Sequence, residues 1–237
     1  MGWKNYELIT FGCSHTYGTG LPDCWNGKSH GPIPSKFAWP AKLKENVNFK
    51  SVNNRSLPGS SNKMIAKEII EYPYYTKQSV VVVLWSNFSR VTIYENENDR
   101  MHMLAHMIKK SHINKFPKVW WQWHSNGDVD DFKRKIKTYY EDFYQEFDAI
   151  FDQMIRMNYI HAFLSNKGIK NFHLLSEHSF GEHKSYFNKF MIDTIKCKTF
   201  NWKDDFHIDD AADKPQPHPG LLSHSTFATK IKDWYFK

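Results

Sequence analysis

The chain has 237 residues, 41% of them hydrophobic and 16% aromatic, which suits one domain with a full core, with room for a sizeable insertion. Its 32 basic and 25 acidic side chains give a formal charge of +7, but the two signs are interleaved along the chain and no block matches a common nucleic-acid-binding module. The balance describes a solvated basic surface, with no nucleic-acid partner expected; no run approaches the ~18–20 apolar residues of a membrane helix, so no membrane partner is expected either.

In chain order, Leu8–Phe11 is a short apolar run that reads as a strand, and it enters the tight turn Gly12-Cys13-Ser14. A helical pattern covers Pro40–Glu45, a second strand Phe49–Val52, and a loop from Asn54 to Asn62 supplies Gly59 before a helix over Asn62–Glu71. The run Val80–Trp85, with four consecutive valines, reads as a buried strand ending at Ser86-Asn87. A long helical pattern spans residues 129–166, where Tyr140, Phe143, Phe147, Ile150, Met154 and Met157 recur at spacings of three or four and predict an apolar stripe against a sheet. Strands follow at Phe172–Leu175 and, more weakly, Lys198–Trp202; a Pro-rich loop, Gln216-Pro217-His218-Pro219-Gly220, then precedes a helix over Ser223–Trp234. Alternating strands and helices imply parallel pairing with right-handed crossovers. The expected fold is α/β, a three-layer α/β/α sandwich around a mostly parallel sheet of about five strands, in one domain over 1–237.

Residues 88–129 exceed what a plain connection needs and hold Tyr94, His102, His106, His112, Trp120, Trp121, Trp123 and His124. We read them as a cap over a site, with Trp121 and Trp123 as candidate substrate-binding rings; burial in a core is the competing reading for the same residues. His102 and His106 stand one helical turn apart, but no third ligand accompanies them, and no metal is expected. Cys13, Cys24 and Cys197 are odd in number with no metal-type spacing, which fits a reducing compartment. The N-terminus shows no basic region followed by an apolar stretch, so synthesis in the cytoplasm is expected.

Ser14, Gly59, Asn87 and His218 occur in that order in four short blocks between Ile9 and Ala228. This ordered set resembles the SGNH hydrolases, the broad superfamily of GDSL esterases and lipases. Gly-Cys-Ser-His-Thr-Tyr-Gly, Ala38-Trp39-Pro40 and Pro-Gly-Ser-Ser-Asn look most like a phage and bacterial branch of it. The resemblance implies ester hydrolysis without a cofactor. Ser14 would be the nucleophile and His218 its general base. The backbone N–H groups of Ser14 and Gly59 and the Asn87 amide would be oxyanion donors. Of thirteen histidines, His218 alone stands in the family-like His-Pro context.

Two departures from the family pattern matter. Cys13 replaces the usual aspartate before the serine, and Pro215 stands three residues before His218, where an aspartate is usual. Either a bulged loop lets Asp213 orient the imidazole, or the site is a Ser-His dyad helped by Gln216 or a carbonyl. Pro215 and Pro217 each restrict φ, which favours the dyad. The expected activity is hydrolysis of an acyl ester, with an O-acetyl group on a carbohydrate as the best single substrate; an acyltransferase on the same site is the enzymatic alternative. An idle binding or virion component that keeps the fold is the alternative from another class. The sequence leaves the oligomeric state open.

Overall fold

The computed structural model describes residues 2–27, 30–94, 100–103, 134–135, 137–180, 183–214 and 217–237. Five strands, β1 (Glu7–Phe11), β2 (Ser51–Asn54), β3 (Ser79–Leu84), β6 (Lys170–Ser176) and β7 (Cys197–Phe200), form one parallel sheet in the order β2-β1-β3-β6-β7. A separate antiparallel pair, β4 (Val91–Tyr94) and β5 (Arg100–Met103), lies inside the segment read as a cap. The helices are α1 (Ser14–Tyr17), α2 (Trp39–Val47), α3 (Asn62–Glu71), α4 (Glu146–Asn166), α5 (Lys184–Lys189) and α6 (Leu221–Tyr235).

The valine run of β3 shows why three layers form. A strand buried on both faces needs apolar side chains at every position, and every residue of β3 is buried. Because successive side chains alternate, Val81 and Val83 pack with Ile65 and Ile69 of α3 and Ile150, Met154, Met157, Ile160 and Leu164 of α4. Val80, Val82 and Leu84 pack on the other face with Leu43 of α2 and Phe227 and Ile231 of α6. The sheet is therefore covered on both sides, as the alternation of elements predicts.

Several element boundaries shift by one to three residues from the sequence reading, and three differences have a clear local cause. The second strand begins at Ser51, not Phe49, because Asn48 closes α2 in the left-handed conformation (φ 61°) and the chain then enters the sheet with Ser51 opposite Glu7. Phe49 instead packs against Trp3 and Phe236, with ring centroids 5.8 and 5.3 Å away. The last strand stops at Phe200, because the Asn201 side chain accepts from Lys203 N and Asp204 N and starts a π-type turn over Trp202–Phe206. The long helical pattern is broken: a π-type turn at Tyr139–Phe143 ends in extended backbone at Tyr144 and Gln145 before α4 begins.

The apolar stripe of α4 is likewise only half core. Ile150, Met154 and Met157 are buried, but Phe143 and Phe147 are exposed, and Phe151, Ile155 and Tyr159 continue an exposed apolar face one turn apart. The periodicity located one apolar face correctly and merged it with a second. Accordingly, Met157→Ala should cost about 2–5 kcal/mol of unfolding free energy, the range for buried Met truncation. Ile155→Ser should stay within about 0.5 kcal/mol, as exposed positions do. Denaturant titration of both variants distinguishes the two faces.

Candidate active site

The order β2-β1-β3 reverses direction at β1, so the crossovers leaving β1 and β3 diverge and open a crevice at the carboxyl ends of these strands. Ser14 follows β1 into that crevice as the first residue of α1, and it is buried at 7% exposure. As the first helical residue it has no intrahelical acceptor for its N–H. Cys13, before it, is buried, and its Sγ lies 3.4 Å from His15 Nδ1; packing is the role its position gives it.

The loops after β2 and β3 are tied to this turn. Leu57 N donates to Gly12 O at 3.2 Å, and Asn54 Nδ2 donates to Thr16 O at 2.7 Å. Gly59 is buried and left-handed at φ 79°, a conformation glycine adopts without steric penalty. Asn62 joins the second loop to the third: its Oδ1 accepts from Ser86 N at 2.7 Å, and its Nδ2 donates to Ser86 O at 3.0 Å. Ser61 and Thr92 hydroxyls meet at 2.7 Å beside this clamp. Asn87 is exposed at the mouth, and its Oδ1 accepts from both the N–H and the hydroxyl of Ser89. That fixes the amide's orientation through its oxygen and leaves Nδ2 as the donor side.

The chain before α6 folds back on itself. Ala211 N donates to His218 O at 2.8 Å and Gly220 N to Asp209 O at 2.9 Å, so residues 209–211 pair with 218–220. Asp209 anchors this hairpin to α6, accepting from Ser223 N at 2.7 Å, Leu222 N at 3.1 Å and Ser223 Oγ at 2.5 Å. Burial alone would raise the Asp209 carboxyl, but these bonds hold it below its ordinary value.

The fold-back puts Asp213 against His218. One carboxylate oxygen of Asp213 meets His218 Nδ1, and the other accepts from His218 N at 3.1 Å. The expectation that the chain cannot easily fold Asp213 back onto the ring is thus corrected: the turn after Ala211 is compact enough for an acid five residues upstream to reach it. Pro215 and Gln216 lie outside the described residues. Gly20, at φ 87°, makes room, since a Cβ there would fall on the Asp213 carboxylate. Asp213 is buried, whereas the His218 side chain is 17% exposed and reaches the crevice.

His15 connects the two halves. Its ring lies 5.2 Å from that of His218 and 4.3 Å from Trp202. The His218–Asp213 pair is therefore at the same end of the sheet as Ser14. Among the described residues, no hydrogen bond joins Ser14 to His218; in unliganded sites such bonds often tighten only around substrate. His15 is held neutral well below its ordinary value, by burial first and then by the positive potentials of His218 and Arg90.

Sequence reasoning did not find His15, Trp202 or the anchoring role of Asp209, because their partners are remote in the chain. It also missed a buried chain behind Asn87. Trp85 Nε1 donates to His173 Nδ1 at 3.0 Å, His173 Nε2 meets Asn171 Oδ1 at 2.9 Å, and His161 Nδ1 meets the same oxygen at 2.8 Å. His102 lies on β5 and not on a helix, so the one-turn spacing to His106 does not hold there; His106, Trp121 and Trp123 lie outside the described residues. Among the described residues, no three His, Cys, Asp or Glu side chains gather as a metal site, and no helix is long and apolar enough to cross a membrane.

No protein-family model matches the chain, and no curated protein matches it. Solved structures do. An acetyl xylan esterase from the rumen bacterium Butyrivibrio proteoclasticus superposes with a TM-score of 0.54 at 10% identity, over 97% of this chain and 64% of that one. A family two carbohydrate esterase from Cellvibrio japonicus gives 0.51 at 8%, over 99% and 63%. A carbohydrate esterase described as having divergent catalytic and non-catalytic binding functions in its active site gives 0.50 at 10%, over 98% and 69%. The chain has the fold of these esterases. It spans a little under two thirds of the length of the first two, and at these identities the likeness establishes the fold.

Two buried histidines make the esterase fold acid-sensitive. His173 and His224 are fully buried, and burial pushes both down to about 3 from an ordinary 6.5. In the unfolded chain each takes a proton near pH 6.5, and in the folded chain only near pH 3. Their contribution to stability is full above pH 6.5 and falls as pH drops towards 3, by about 1.4 kcal/mol per pH unit for each histidine. Thermal unfolding between pH 7.5 and 4 should show this loss. His224→Asn, whose side-chain oxygen can still accept from Trp39 N as His224 Nδ1 does at 3.0 Å, should reduce the slope by about one proton; an unchanged slope would contradict the assignment.

Proposed function

We propose that the chain is a serine esterase that cleaves an acyl ester through an acyl-enzyme on Ser14. The observation that carries the reading is the Asp213–His218 pair, held beside the β1–α1 turn at the switch point of the sheet. In this reading His218, its Nδ1 proton held by Asp213, takes the Ser14 hydroxyl proton through Nε2 as Oγ attacks the ester carbonyl. It then returns that proton to the leaving alcohol. Water, activated by the same imidazole, attacks the acyl-enzyme, releases the carboxylic acid and restores Ser14. Asp213 keeps the imidazole in the required tautomer and stabilises the imidazolium. The N–H groups of Ser14 and Gly59 and Nδ2 of Asn87 would receive the oxyanion, each such donor contributing about 3–4 kcal/mol in the transition state.

An acylated carbohydrate is the substrate we favour. Three structures of the same fold are carbohydrate esterases, one an acetyl xylan esterase, and a partly exposed Trp202 stands beside His15 at the crevice, an aromatic surface of the kind that sugar rings stack on. Trp121 and Trp123 keep their proposed place in the substrate-binding segment. A non-catalytic binding role is the second reading, favoured by the missing Ser14–His218 bond.

A fluorophosphonate probe followed by intact mass separates the two. We expect one adduct per chain, lost in Ser14→Ala; a folded chain that takes no label would favour binding alone. Asp213→Asn should lower kcat on 4-nitrophenyl acetate by about ten-thousand-fold, as an amide favours the wrong imidazole tautomer, with the circular dichroism spectrum unchanged. A loss of less than about ten-fold would show that the pair does not serve catalysis.

A further inference from the structure

Arg90 occupies an unusual position. Its backbone N–H donates to Asn87 O at 3.2 Å, so it closes the turn that presents Asn87. Its guanidinium reaches back to the second loop, where Nη1 lies 3.4 Å from Ser60 O, next to Gly59. It also lies close enough to His15 for its charge to act on that ring. The cation thus stands beside the loops that follow β1, β2 and β3.

It is also under-used. Arg90 is half-buried, and its Nε is out of contact with water and has no hydrogen-bond partner. Among the described residues it makes no ion pair, and its single side-chain bond is the long one to Ser60 O. Arg55 and Arg156, by contrast, each face a carboxylate, Glu68 at 3.8 Å and Asp152 at 3.7 Å. A guanidinium partly removed from water is costly unless its donors are met. Its planar fork is matched best by the paired oxygens of a carboxylate or phosphate.

We propose that Arg90 is a specificity residue that binds an anionic group, a carboxylate or a phosphate, carried by the substrate near the ester. The inference rests on the esterase reading. An acylated acidic sugar satisfies both parts of the site: the acyl group lies at Ser14, and the acid group lies on the guanidinium. Neutral acetylated sugars leave the cation unpaired and bind less well.

The test compares O-acetylated methyl glucoside, O-acetylated methyl glucuronide and O-acetylated glucose 6-phosphate on the wild-type protein, Arg90→Gln and Arg90→Lys. We expect the wild type to favour one or both anionic esters over the neutral one by about ten- to hundred-fold in kcat/KM, mostly through KM, the range for hydrogen bonds to charged groups. Which anion is preferred identifies the class. Arg90→Gln should bring the ratio close to one, and Arg90→Lys should keep part of it. A wild-type ratio of one, or a ratio unchanged in Arg90→Gln, overturns the proposal, and the wild-type arm decides even if a variant does not fold. If the wild type cleaves no ester, 4-nitrophenyl acetate included, the esterase reading fails separately. Calorimetric binding of methyl glucuronide and glucose 6-phosphate against methyl glucoside then tests Arg90 alone: a preference for an anion that is lost in Arg90→Gln supports it, and equal or absent binding ends it.

Discussion

The parallel ladder on both sides of β1 is the constraint from which the site follows. Glu7–Thr10 pair with β2 and Glu7–Phe11 with β3, so the strand cannot shift in register without breaking bonds on two edges. A shift of one residue would also exchange Leu8 with Ile9 between the two helix layers. The place where β1 ends is therefore fixed, and with it the turn that carries Ser14. The loops after β2 and β3 are secured to that turn and to each other by the Leu57–Gly12 and Asn62–Ser86 bonds. The loops that carry Gly59 and Asn87 are placed by strand register, not by any preference of their own.

His218 is positioned by a different device. It sits on no strand, and its loop would have many conformations if left alone. Pairing of 209–211 with 218–220 removes that freedom, and Asp209 ties the hairpin to the first turn of α6. This anchor does the work of an N-cap, since Gly220 at the helix start has no side chain to offer. Two acids thus divide two jobs: Asp209 satisfies backbone donors and holds the loop, while Asp213 meets the imidazole.

The polar chain behind Asn87 follows the same logic of satisfied donors. Asn171 accepts from two histidines through one oxygen and donates to Ser165 Oγ and Ile169 O, so the chain from His161 to Trp85 is closed at each joint. The joint at Trp85 holds only while His173 stays neutral, because its Nδ1 must accept from the indole N–H, which links the packing behind Asn87 to pH. Arg90 departs from this pattern, a half-buried cation whose Nε is out of contact with water and unmet beside the crevice loops.

By itself the sequence determined the fold class and the end of β1, and it placed the ends of β2 and β3 within two residues. Hydrophobic runs and their alternation are local properties, and the three blocks that follow β1, β2 and β3 are read directly from them. It could not decide which acid serves His218. The prolines argued locally against Asp213, but the separation was set by hairpin bonds between 211 and 218 and by the space over Gly20, contributed by the first loop of the chain. The long apolar pattern of 129–166 misled for a related reason: periodicity reports that a helix has an apolar face, whereas which face meets the sheet depends on where the helix lies. Tertiary structure alone placed His15 beside His218, gave Asp209 its anchoring role and left Arg90 short of partners, because each depends on groups tens to hundreds of residues away.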